Sequence, residues 1–215
     1  MSATFMRRPG YLLLSLVILC CPLTALSQAD FASTDAFLKS TLQGEDRLSI
    51  GKTGDLNGDG LIDWVGVIHR RRSELSPTYQ LYLLLRLREG GYRVAEKTQE
   101  AEIPGMGCCW LEDLRIRRGS IYVQNNSKDA STMEAATHQF KLHRGEWRLV
   151  GLTVYLTDHS PTAPMTSDTD INLLTGLVIE KTQKGNKKPI TRRRPKKSSP
   201  FFLKDFDFSN SFGIQ

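Results

Sequence analysis

Cysteine is scarce and poorly placed for a scaffold. The chain has four cysteines in 215 residues: Cys20 and Cys21 lie in an apolar leader, and Cys108 and Cys109 stand side by side. That count excludes a disulfide framework, and the spacing excludes a zinc site built on cysteine. A disulfide between neighbours would be strained, because adjacent Cα atoms are about 3.8 Å apart and disulfides prefer about 4.4–6.8 Å. Two buried thiols, or a bond to another chain, are the alternatives for Cys108 and Cys109. Long apolar runs are missing as well. The longest, Tyr11–Leu19, is too short for a comfortable membrane span. There is no phosphate-binding glycine loop and no zinc-binding helix. Histidine is sparse: His69, His138 and His143 fall at the ends of predicted strands and read as surface residues. Asp158-His159-Ser160 holds the residue types of a hydrolytic triad, but neighbours in sequence cannot form the relay by adjacency. No catalytic set is legible, so the chain reads as a non-enzyme. Carboxylate pairs are spaced in three dimensions rather than in sequence, which keeps a glycan hydrolase as the competing class.

Acidic residues are absent from one long stretch. Between Lys181 and Lys197 there are nine basic residues and no acid. The formal charge of +6 becomes −5 once these nine and the leader arginines Arg7 and Arg8 are set aside. The basic character is therefore local, which argues against a general nucleic-acid binder. The run has no apolar periodicity and several breakers, and predicts a flexible loop over 181–199 that can touch an anionic envelope polymer or an acidic partner. Arg7 and Arg8, the apolar run and small residues at Ala25 and Ser27 make residues 1–27 a secretory signal peptide, with the mature chain starting near Gln28. Leu19 is a poor fit for the small residue a lipobox wants before its cysteine. The expected location is the periplasm, with no membrane span after cleavage and one β domain over 28–215.

What is present is concentrated in Gly54-Asp55-Leu56-Asn57-Gly58-Asp59-Gly60-Leu61-Ile62-Asp63-Trp64. Side-chain oxygens alternate at Asp55, Asn57 and Asp59, glycine follows at Gly60, and Asp63 closes the series. Ca²⁺ takes about six to eight oxygens, and alternate residues of a tight loop can all face one ion. The expected metal ligands are Asp55, Asn57, Asp59, the backbone carbonyl of Leu61, and Asp63, with Ca²⁺ as the ion. This is not an EF-hand: the position where a bidentate glutamate belongs is Gly66. The residues from Leu61 to Ile68 predict a strand rather than a helix. An ion there can also serve only to staple the loop.

Elsewhere, Ser33-Thr34-Asp35 before Ala36-Phe37-Leu38 predicts a short capped helix. Tyr79–Leu87 and Tyr92–Glu96 predict a hairpin around Glu89-Gly90-Gly91. Leu111–Arg117, Ser120–Gln124, His138–His143 and Glu146–Leu152 predict strands, with turns at Arg118-Gly119 and Arg144-Gly145. Asn125–Ser131 reads as a polar connection. Asp170–Lys181 predicts a strand pair around Thr175-Gly176, and Phe206 and Phe208 alternate with acids as a final docking strand. The fold class is all-β, an antiparallel meander with a short N-terminal helix.

The loop resembles the Ca²⁺ loops of FG-GAP and VCBS-type repeats. A broader likeness runs through Gly-Asp-Leu-Asn-Gly-Asp-Gly-Leu-Ile-Asp, Leu-Tyr-Leu-Leu-Leu-Arg, Gly107-Cys108-Cys109, Arg118-Gly119-Ser120, Glu146-Trp147-Arg148-Leu149-Val150 and Leu174-Thr175-Gly176. In this the chain is similar to small periplasmic bacterial proteins related to the XAC-type immunity proteins of Xanthomonas. The resemblance implies a small β-propeller-like fold and an integrin-like Ca²⁺ site at Asp55, Asn57, Asp59 and Asp63. It also implies a protein-binding role, as an inhibitor of or immunity protein against a cell-wall hydrolase. No inhibitory residue can be carried over by motif. A structural or adhesion protein of the envelope is the competing class.

Overall fold

The computed structural model describes residues 30–71, 77–102, 109–161, 164–197 and 199–208. The expected signal peptide over 1–27, and Cys108 with most of the glycine-rich bend before it, lie outside the described residues.

The strands form two antiparallel sheets. In the first, β1 (Arg47–Gly54), β2 (Asp63–Arg71), β3 (Pro77–Arg86) and β4 (Tyr92–Lys97) pair in chain order, and the short β5 (Ala101–Glu102) also pairs with β3. In the second, β6 (Cys109–Arg117), β7 (Ser120–Lys128), β8 (Thr132–His143), β9 (Glu146–Asp158), β10 (Met165–Asn172), β11 (Leu177–Lys184) and β12 (Ile190–Pro195) form an uninterrupted meander. The all-β meander and its helix are as expected. The strands make two sheets and, among the described residues, no ring of separate blades, so the likeness to a propeller is loose.

The layers follow from period-two alternation. On β2, Val65 and Val67 face the second sheet. With Leu81 and Leu83 of β3 they meet Leu114, Ile121, Val123, Phe140, Trp147 and Leu149 in the main core. Trp64 and Ile68 point the other way, under the helix α1 (Thr34–Thr41), where Phe37, Tyr82, Leu84 and Tyr92 complete a second cluster. Ser33 caps this helix by accepting the Ala36 amide at 3.1 Å. Gly66 lies beneath the Trp64 indole: a Cβ there would sit 2.2 Å from the ring. The glycine at the position an EF-hand gives to glutamate thus serves packing. The turns at Arg118-Gly119 (φ 51° and 68°) and Arg144-Gly145 (φ 54° and 83°) have paired left-handed residues, as two-residue hairpin turns require.

Several expectations need correction. β1 was not legible, because it is half-exposed and polar with glycines at 51 and 54. Asn125–Lys128 is not a connection but the second half of β7. Asn125 and Asn126 are buried there, and their backbone polarity is spent in ladders to β6 and β8. His138 is not a surface residue. It is fully buried in mid-β8, its ring 5.0 Å from that of Phe206, because it shares the core face with Phe140. The run from 181 to 199 is not simply a loop. Lys181–Lys184 end β11, and Ile190–Pro195 form β12, held to β11 by backbone pairing. The tail docks as expected but not as a strand. After one bridge between Phe202 and Arg148 it makes a single 3-10 turn at Leu203–Asp205 and drops Leu203, Phe206 and Phe208 into the core.

Candidate cation loop

The loop joins β1 to β2, whose ladder closes at Gly54 and Asp63. Gly58 and Gly60 have φ of 79° and 82° with open space around each, so both are there for backbone conformation. Their amides point inward. Asp55 accepts the Gly58 amide on Oδ1 at 2.7 Å and the Gly60 amide on Oδ2 at 3.0 Å. Asn57 Oδ1 accepts the Asp59 amide at 3.1 Å, and Asp59 Oδ1 accepts the Leu61 amide at 2.8 Å. Asn57 Nδ2 donates to Asp59 Oδ2 at 2.9 Å. Leu56 turns the opposite way into the main core and anchors the loop from below.

Asp63 stands apart from the other acids. It is fully buried, and its two oxygens accept the Leu56 amide at 2.8 Å and the Arg86 amide at 2.9 Å. It therefore ties the loop to the end of β3, a contact no local motif reveals. Burial pushes its carboxyl above the ordinary carboxylate range; the two amides work against that, and the charges of Asp59 and Asp55 add to it.

The structure thus brings Asp55, Asn57 and Asp59 into one hydrogen-bonded turn and sets Asp63 within reach of their charge. Among the described residues, no three acidic, histidine or cysteine side chains converge as a finished metal centre. The donor set still suits a hard cation. Every candidate side chain offers oxygen, and a carboxylate has about four lone-pair positions, of which the backbone amides occupy only some. Leu61, expected to lend its carbonyl, is held in the turn through its amide.

The remaining sequence candidates are scattered. Asp158 accepts the Ser160 amide at 2.8 Å while the His159 amide donates to Ser131, so these residues form a local turn rather than a relay. His69 lies on β2, edge-on to Tyr79 at 5.1 Å. A buried polar network escaped the sequence reading. Arg70 donates to Asp46 at 2.8 Å and to Tyr82 at 2.7 Å, and reaches Gln80 at 3.3 Å and Glu100 at 3.5 Å. Its signal was the alternation Trp64, Gly66, Ile68, Arg70, which continues past the expected strand end. The network pairs the Arg70 charge with Asp46 and Glu100 and braces the helix-side face of the first sheet.

Compared with protein-family models, curated proteins and solved structures, the chain matches none.

Proposed function

We propose that this chain is an exported β module stabilised by Ca²⁺ that acts by binding another protein, with a cell-wall hydrolase in the periplasm as the partner class. The observation that carries the cation is the winding of the loop around Asp55, whose carboxylate gathers the amides of Gly58 and Gly60. That winding holds Asp55, Asn57 and Asp59 in one hydrogen-bonded turn. Asp55, Asn57, Asp59, Asp63 and the Leu61 carbonyl would hold the ion, which would offset the mutual repulsion of three carboxylates. Export rests on the leader, and the hydrolase partner on the resemblance described above.

Thermal unfolding in excess Ca²⁺ and in EDTA tests the ion. A site of about 10⁻⁴–10⁻³ M, as in extracellular modules, adds about 2.7 kcal/mol when Ca²⁺ stands at about 100 times its Kd. The melting temperature should rise with Ca²⁺ in the wild type and much less in Asp59→Ala. Equal wild-type values would remove Ca²⁺ from the function. Capture from periplasm with Ca²⁺ present, followed by a peptidoglycan-hydrolysis assay on what is captured, tests the partner. Slowed hydrolysis is expected, and turnover by the purified protein alone would make it an enzyme. One observation favours a second reading, an envelope protein with a purely structural ion: Asp63 already works as a brace between the loop and β3.

A further inference from the structure

The seven-stranded sheet is wider than the sheet that covers it. Register carries the core-facing side of β8 and β9 outward: Leu156 lies opposite Ser167, Ser167 opposite Thr182, and Thr182 opposite Ile190. There the same face lines a cavity of about 550 Å³. Its floor is apolar, from Leu156, Met165 and Ile190, and Ile190 is 61% exposed. Its rim is cationic, from Lys184, Lys187, Lys188 and Arg192. Glu180 is the one acid lining it, held by the Thr182 hydroxyl at 3.4 Å. Among the described residues, none of the four rim cations is in an ion pair.

Beside the cavity runs β12, exposed along its whole length and, among the described residues, paired only to β11. A free edge is a template for another strand. Arg192, Arg193 and Arg194 put cations on both of its faces, which disfavours a second copy of this same edge, because like charges directly opposite repel. The same charges favour an acidic strand.

We propose that β12 and the adjoining cavity form a docking surface for an extended acidic segment of a partner protein. The segment adds as a further strand on β12, its carboxylates meet Arg192 and the lysines Lys184, Lys187 and Lys188, and one apolar side chain on the same face packs on Ile190 at the outer end of the apolar lining. This deepens the protein-binding function proposed above by naming a surface and the partner's chemistry. A peptide suits the site better than a phosphate polymer for two reasons. Only a peptide backbone matches the free hydrogen-bonding edge, and only a peptide supplies an apolar side chain for the floor. Pro195, which has no amide hydrogen to donate, marks the end of the usable edge.

The test is fluorescence anisotropy on the full mature protein with a short labelled peptide of repeating Glu-Thr-Val-Thr, which sets glutamate and valine on the same face of a strand. Three controls accompany it: the glutamine version, a version N-methylated at every second amide, and polyphosphate of equal charge. The parent peptide should bind, weaken with salt, and lose about tenfold or more in affinity with the variant Lys188→Glu/Arg192→Glu. Both positions are exposed, so unchanged melting of the variant confirms that the loss is local. The N-methylated peptide should bind far more weakly despite its equal charge. Equal binding of the two peptides, tighter binding of polyphosphate, or no loss in the variant would each overturn the proposal. A variant that still captures its periplasmic partner undiminished would also overturn it, while leaving the protein-binding function standing.

Discussion

The inner and outer halves of the seven-stranded sheet share one ladder but are held by different forces. β7 and β8 lie between neighbours and beneath the first sheet, with Ile121, Val123, Ala136 and Phe140 fully buried. β12 has the same antiparallel pairing and no buried residue. Backbone hydrogen bonds add only about 0.5–1.5 kcal/mol net each, since water competes for the same groups. Apolar burial, at about 25 cal/mol per Å², decides which half is anchored. Of the strands β10 to β12, only β11 has a fully buried apolar side chain among those described, Val178. A sheet can therefore extend beyond its core by pairing alone, and the extension is free to carry charge that the inner half could not tolerate.

The largest expected effect breaks the inner half. Phe140→Ala removes a ring packed against Phe206 at 5.2 Å and should cost about 3–5 kcal/mol in urea unfolding. Arg193→Ala on β12 should change stability by about 0.5 kcal/mol or less, because its side chain is exposed. A smaller effect should stay within the outer half. Gly176, in the β10–β11 turn, has φ of 69°, and a Cβ there would meet the Lys196 carbonyl oxygen at 2.5 Å. Gly176 also accepts the Lys196 amide at 2.6 Å. Gly176→Ala should cost about 1–2 kcal/mol and free the end of β12. Hydrogen exchange should quicken in β12 and stay unchanged in β7 and β8; faster exchange throughout would mean that the halves are coupled.

The smallest effect concerns pH and the first sheet. Burial lowers the pKa of His69 from its usual 6.5, helped by the charges of Arg47 and Arg71 and opposed by Asp46. The unfolded chain then binds more protons than the folded one in the window below about 6.5. The stability associated with neutral His69 is present above that value and is lost as pH falls through the lower folded pKa. Urea midpoints measured from about pH 7.5 down to about pH 5 should fall more steeply for the wild type than for His69→Gln. Parallel curves would show that His69 does not report folding.

Short-range features were legible because their causes lie within a few residues. Ser33 caps a helix three residues away, glycine after arginine makes a two-residue turn, and the oxygens at Asp55, Asn57 and Asp59 meet amides inside the same loop. Those residues, the strand periodicity and the local concentration of basic charge were determined by the sequence alone. Tertiary structure decided the rest. Asp63 became a buried brace because Arg86 of β3 arrives beside it, and His138 became a core residue because strand alternation puts it on the same side as Phe140. The same holds for β1 and β12. β12 has no apolar pattern of its own and β1 only Leu48 and Ile50, so each depends on a neighbouring strand to supply the other half of its hydrogen bonds.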